Sequence, residues 1–154
     1  MVIFNDLMFK KMKKNLFSNK FNYLNKIDIE FIEEKGIFIK KDKSLMEKEW
    51  NININLWEYQ VNRIDSYEFD FLPIKSEVII NEMYFLAEKI VNEFKLKFPQ
   101  KKIILKLQYE DDFNIAKIFF HTLLNDISSK DNIINIDTLI SDENHGISSL
   151  ILIE

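Results

Sequence analysis

The sequence predicts an α+β fold: a single domain over residues 1–154, with a mostly antiparallel mixed sheet, an N-terminal amphipathic helix and two further helices. Three observations predict it. Apolar residues alternate with polar ones in short stretches across both halves of the chain, the mark of half-buried strands. Other segments repeat at three- and four-residue steps, and one of them stands between two strands, where it must act as a crossover. The 154 residues are 47% apolar and 14% aromatic, which suits one core that buries roughly two-thirds of the surface of the unfolded chain. The order along the chain is α-β-β-β-β-α-β-α-β-β, with a single parallel crossover expected to be right-handed.

Phe4, Met8, Met12 and Leu16 recur at four-residue steps among the first lysines. This predicts an amphipathic helix docked on the core, with a membrane-surface or partner-docking helix as the other reading. Ile27, Ile29 and Phe31 alternate with Asp28 and Glu30, Glu33-Glu34-Lys35-Gly36 supplies a turn, and Ile37-Phe38-Ile39 returns as the second arm of a hairpin. Residues 41–49 form a charged connection. From Trp50, Ile52, Ile54 and Leu56 share a face opposite Asn51, Asn53 and Asn55, and then Trp57, Tyr59 and Val61 fall out of phase. A β-bulge near Leu56-Trp57, or a strand buried on both faces, accommodates the slip. Asn62 to Asp65 read as a connection, and Tyr67, Phe69 and Phe71 as a fourth strand.

Pro73 closes this strand region. Ser76 is the expected N-cap of a long helix, in which Ile79, Met83, Leu86, Ala87, Ile90 and Phe94 recur helically until Pro99. Lys102 to Tyr109 is apolar on both faces, as in a central strand. Asp111 or Asp112 is then expected to cap a second helix through Phe113, Ala116, Phe120, Leu123, Leu124 and Ile127. Two strands, Ile133 to Ile140 and Ile147 to Ile153, close the chain around a turn over residues 141–146.

Composition excludes several chemistries. With no cysteine there is no disulfide framework, thiolate zinc site, iron–sulfur cluster or cysteine nucleophile. With two glycines there is no Walker loop, dinucleotide fingerprint or Gly-x-Ser-x-Gly elbow. The two histidines, His121 on the second long helical segment and His145 in a turn, lack any known metal-ligand spacing and read as structural. No metal or cofactor is expected. Asp6 and the lysines from Lys10 to Lys14 interrupt any apolar leader, and the longest apolar runs are far shorter than the roughly 20 residues that span a bilayer. The sequence therefore predicts a cytoplasmic chain.

Charge is uneven. The net charge of −4 divides into +4 on residues 1–20 and −8 on the remainder, and a single arginine, Arg63, accompanies 20 lysines. Arginine makes most bidentate contacts to phosphates and base edges, so sequence-specific nucleic-acid binding is not expected. Tyr109-Glu110-Asp111-Asp112 is the acidic cluster of interest. Such acids stabilise the start of a following helix, and they also form a patch that can dock a basic protein surface with Tyr109 as its anchor. Trp57 and Tyr59 read as core residues or as interface anchors.

From Phe69 to Ile153 the layout resembles the GNAT acetyltransferase fold. Pro73 before the long helix, and Asp112 to Phe120, which is similar to the family's Asn-x-x-Ala-x-x-Phe-Tyr helix, carry the resemblance. It implies acetyl-CoA bound at the start of the long helix and a helical segment over Asp112 to Phe120. Two departures accompany it: the family's Gly-rich loop is here Ile74-Lys75-Ser76-Glu77-Val78-Ile79, and Phe120 stands where the family often has a tyrosine acid.

The expected function is that of a small protein-binding inhibitor, such as an immunity protein or anti-defence protein, docking an acidic surface on a partner such as a basic toxin or nuclease complex. A divergent GNAT-like acyltransferase or acyl-CoA-binding protein is the alternative.

Overall fold

The computed structural model describes residues 1–14, 28–34, 36–40, 54–69, 76–126 and 129–154. The chain enters through strand β1 (Val2–Phe4) and helix α1 (Asp6–Lys14), followed by β2 (Phe31–Glu33) and β3 (Ile37–Ile39). Helix α2 (Ile54–Val61), strand β4 (Arg63–Asp65) and a 3₁₀ turn (Ser66–Glu68) lead to the long helix α3 (Ser76–Lys97). Strands β5 (Ile103–Glu110) and β6 (Ile115–Thr122), helix α4 (Ile136–Asn144) and strand β7 (Ser148–Ile153) complete an α+β domain.

Five strands form the main sheet in the order β1-β7-β5-β6-β4, and β2 and β3 pair as a separate hairpin. Every pairing among the described residues is antiparallel. Strands β4 and β5 each lie antiparallel to β6 and so run the same way, joined through α3; β6 and β7 are related in the same manner through β5 and joined through α4. The expected crossover around the long helix is therefore present, but it skips a strand. Both crossovers step the same way across the sheet between strands of opposite direction, so crossovers of one hand leave their helices on opposite faces. They do: Met83, Ala87, Ile90 and Phe94 of α3 pack on Leu105, Leu107, Phe120 and Leu150, while Leu139 of α4, with Ile134, packs on Ile104, Phe119 and Ile151.

The hairpin of β2 and β3 docks through Phe31, whose ring meets Phe94, Phe98 and Phe120 edge-on at 5.7, 6.1 and 6.2 Å. Burying such a ring contributes about 2 kcal/mol, enough to hold a two-stranded ribbon that would be marginal alone. A Cβ at Gly36 in its turn would come within 3.0 Å of Glu58 Cγ and 3.1 Å of Phe38 Cζ. Gly146, with φ of 73°, takes the left-handed position just after α4 where glycine is preferred.

Three segments in the first half of the chain differ from expectation. The N-terminal helix begins only at Asp6: Met8 and Met12 are buried as the stripe requires, whereas Phe4 belongs to β1 and Leu16 lies outside the described residues. Residues 54–61 are helical, not a bulged strand, because a helix places Glu58 and Asn62 one turn apart, both facing the backbone of β3. The fourth strand is Arg63–Asp65, and Tyr67, expected in a strand, lies in a 3₁₀ turn that Asp65 N–H closes by donating to Glu68 Oε2 at 2.7 Å, while Phe71 lies outside the described residues. The expected connection over residues 41–49 lies outside the described residues.

The two C-terminal exchanges are linked. Residues 115–122 form strand β6, not a helix, and residues 136–144 form helix α4, not a strand. Strand β6 is covered on both faces, by α3 and by α2 with α4, so its apolar residues do not alternate and mimic a helical stripe. Asp111 to Asn114 form a hairpin turn that Asn114 makes possible by adopting φ of 50°. Asn135 caps α4 by accepting the N–H of Thr138 at 3.3 Å.

Candidate functional site

The odd residues of β5 face the α3 core, so Ile104, Lys106, Gln108 and Glu110 face the side carrying α4. Register places Phe119 and Ile151 beside Lys106, and Lys117 and Ser149 beside Gln108. Arg63 and Asp65 of the edge strand pair with Phe119 and Lys117. One half of this face is apolar, around Ile104; the other is polar.

Ion pairs fill the polar half. Lys106 Nζ lies 3.2 Å from Asp142 Oδ2 with side-chain exposures of 7% and 14%, Lys117 Nζ lies 3.4 Å from Glu110 Oε1, and Arg63 Nε donates to Asp65 Oδ1 at 3.1 Å. Arg63 and Lys106 also lie 5.7 and 5.9 Å from the centre of the Phe119 ring, against which Tyr59 of α2 stacks at 4.9 Å. Burial, and then the negative charge of Asp142, push the Tyr59 phenol up. Helices α2 and α4 therefore both reach this face of the sheet, α2 through Tyr59 on Phe119 and α4 through Asp142 on Lys106.

The β5–β6 turn extends beyond this floor. Asp111 is held by Lys11 of α1 at 2.6 Å, Asp112 is exposed, and Phe113 is 70% exposed at the tip. Ser66 Oγ accepts the N–H of Ala116 at 3.1 Å, which sets the 3₁₀ turn alongside the base of the hairpin. Its Tyr67 is 69% exposed, with a phenol raised chiefly by a hydrogen bond to Asp65. Two exposed aromatics thus stand at one end of the sheet with Glu68, Asp111 and Asp112.

The residues singled out by sequence divide accordingly. Glu110, Asp111 and Asp112 gather at the hairpin, where the first two are ion-paired. Tyr109 is 2% exposed, lies under Lys11 at 5.3 Å and donates its hydroxyl to Asn114 Oδ1; it is a core residue and not the anchor of the patch. Tyr59 stacks on Phe119, and Trp57 lies on α2 with its side chain outside the described part of the structure. Phe113 and Tyr67 escaped as site residues because each matched an apolar period, Phe113 of a helix and Tyr67 of a strand.

Three other buried polar side chains, His121, Asn5 and Asn132, bind backbone. His121 is fully buried, its Nε2 accepts the N–H of Ile134 at 3.0 Å and its Nδ1–H donates to Thr122 O at 2.8 Å. Burial lowers its pKa to about 4. Asn5 Oδ1 accepts from Met8 N and Ser149 N, and Asn132 ties Leu124 to Asp126. Among the described residues, no group of three or more His, Asp or Glu side chains could hold a metal ion, and no helix is long and apolar enough to cross a membrane. The segment over Asp112 to Phe120, helical in the GNAT layout, is here turn and strand. Comparison with known proteins finds no matching family model, curated protein or solved structure.

Proposed function

We propose that this chain works inside the cell as a protein-binding inhibitor of the immunity or anti-defence kind, docking the acidic, aromatic end of its sheet on a basic protein surface. The observation that carries this reading is the pair Tyr67 and Phe113, 69% and 70% exposed beside Glu68 and Asp112. Large exposed aromatics ringed by charge are the usual anchors of protein interfaces, and the acids steer association. Lys11 and Lys117 hold Asp111 and Glu110 in place, so the hairpin meets a partner with little further ordering. The single arginine is engaged by Asp65, which argues against phosphate recognition.

The test is affinity purification from the native cell with the wild-type chain and with a Tyr67→Ala/Phe113→Ala chain as bait. A partner retained by the first and lost by the second is expected, and Asp112→Lys should then slow association and flatten its salt dependence. Equal retention by both baits removes this end of the sheet from the interface. Micromolar binding of acetyl-CoA by calorimetry, with no protein partner, would replace the reading with the acyl-CoA one.

A further inference from the structure

The two edges of the β2–β3 ribbon are finished differently. Glu34 N–H donates to Gly36 O and Lys40 N–H to Glu30 O across the ribbon, so the alternate residues of each strand turn their backbone groups outward. On β3 these are Ile37 and Ile39, whose N–H groups are taken by Glu58 and Asn62. On β2 they are Phe31 and Glu33, whose N–H groups have no acceptor among the described residues. One edge is sealed and the other is open.

The open edge faces a groove. Phe31 O accepts Lys97 Nζ of α3 at 2.7 Å, and beside this contact lies an open space of about 380 Å³ lined by Ile29, Glu30, Phe31, Glu93, Leu96 and Lys97. Leu96 is 78% exposed there. Of the two carboxylates in the lining, Glu30 is paired with Lys40 at 3.2 Å, whereas Glu93 has no ion pair among the described residues. The cation of the lining, Lys97, is already engaged by the Phe31 carbonyl.

These features select both the conformation and the side chain of an occupant. Outward N–H and C=O groups at strand spacing pair with extended chain. Residues opposite one another in a sheet share a face, and the Phe31 ring points at Phe94 of α3, so the residue set beside Phe31 also points at α3, toward Leu96 and Glu93. A lysine suits both neighbours, because its apolar stem covers Leu96 while its ammonium reaches Glu93.

We propose that the outer edge of β2 docks an extended segment of a partner protein, added as a third strand with a lysine beside Phe31. Lys97 holds the place of that strand, its ammonium occupying the carbonyl that a backbone N–H takes over, and it guards the edge against indiscriminate pairing. This groove shares no residue with the Tyr67 and Phe113 end of the sheet. It is a second docking site that stands without the first.

The test is an NMR titration of the full chain with the blocked peptide acetyl-Thr-Val-Lys-Val-Thr-amide, following the backbone amides of Phe31 and Glu33. Saturable shifts at both are expected, with Kd on the order of 1 mM for so short a strand. The same peptide with glutamate in place of lysine should bind at least threefold more weakly, and one with prolines in place of the valines, which cannot add to a sheet, should leave both amides in place. Glu93→Gln should erase the preference for lysine over glutamate, and Leu96→Ala should weaken the lysine peptide roughly threefold. No shift in the wild-type chain, equal binding of the proline peptide, or a lysine preference that survives Glu93→Gln would each overturn the proposal. Shifts of the same amides on concentrating the chain alone, with no further change on adding peptide, would assign the edge to a second copy and overturn it too. Tyr67→Ala/Phe113→Ala should bind the peptide as wild type does, so failure at this groove and failure at the hairpin interface are read separately.

Discussion

The carboxylate of Glu58 accepts both the backbone N–H of Thr122 at 3.1 Å and its hydroxyl at 2.9 Å. It also accepts the N–H of Ile37 at 2.7 Å, so one side chain of α2 joins the small hairpin to the main sheet. Asn62, one turn on, completes the clamp by accepting from Ile39 N at 2.8 Å and donating to Ile37 O at 2.9 Å.

Glu58→Gln tests the clamp. Oε1 takes the Thr122 N–H, and Oε2 takes the Ile37 N–H and the Thr122 hydroxyl. An NH₂ group at either position faces a backbone N–H that cannot turn away, so the substitution costs about 2 kcal/mol, measurable as a lower urea midpoint. Desolvation raises the Glu58 pKa above 4.5. The folded state therefore holds its proton at higher pH than the unfolded state, and this group's contribution to stability falls as pH rises from 4.5 through the raised value. Glu58→Gln should remove that slope.

His121 works in the opposite direction. Burial lowers its pKa from 6.5 to about 4, and a proton on Nε2 would also abolish the bond from Ile134 N–H. The unfolded chain takes up the proton first, so the stability from the neutral ring is complete above about pH 6.5 and is lost as pH falls toward 4. The shift corresponds to about 3 kcal/mol. Urea unfolding of the wild-type chain and of His121→Gln across pH 4 to 7 should show this loss only in the former. A wild-type chain whose stability, after comparison with Glu58→Gln, stays flat over that window would contradict it.

How legible the fold was depended on whether local pattern and tertiary setting agreed. Ile79 to Phe94 and Ile103 to Tyr109 were readable because a 22-residue helix and the central strand have both the period and the length of what they are. Phe113 to Ile127 misled because β6 is buried on both faces, where strand alternation disappears, and because its turn depends on one asparagine at φ of 50°. Acids at the hairpin were legible as charge, but their partners were not: Lys11 and Asp111 are 100 residues apart, and only folding brings them together. Gln108 looked like any polar residue in a strand until the register showed which groups surround it.

The asparagines that stand where glycine is scarce make a third prediction. Asn114 and Asn125 are the described non-glycine residues with positive φ, at 50° and 58°, and asparagine tolerates this region better than other residues with a Cβ. Asn125→Gly should leave stability within about 0.5 kcal/mol of wild type, while Asn125→Val should cost about 1–2 kcal/mol. Asn114→Gly should be more harmful than Asn125→Gly by about 1 kcal/mol, since it also strips the acceptor from the Tyr109 hydroxyl. Thermal unfolding of the three variants checks the order.

Lys106 and Asp142 join the sheet to α4, and the energetics of such a pair are asymmetric. Breaking it strands a charge: Asp142→Ala leaves Lys106, 5% exposed overall, with the Phe119 ring and little else, which should cost about 3 kcal/mol. Replacing both residues by apolar ones removes the stranded charge along with the pair, so Lys106→Met/Asp142→Leu should be clearly more stable than Asp142→Ala and close to wild type. Thermal unfolding of the two variants measures the difference. If Asp142→Ala and the double variant lose equal stability, the pair is not coupled in this way and α4 is held by its apolar contacts with Ile104 and Ile151 alone.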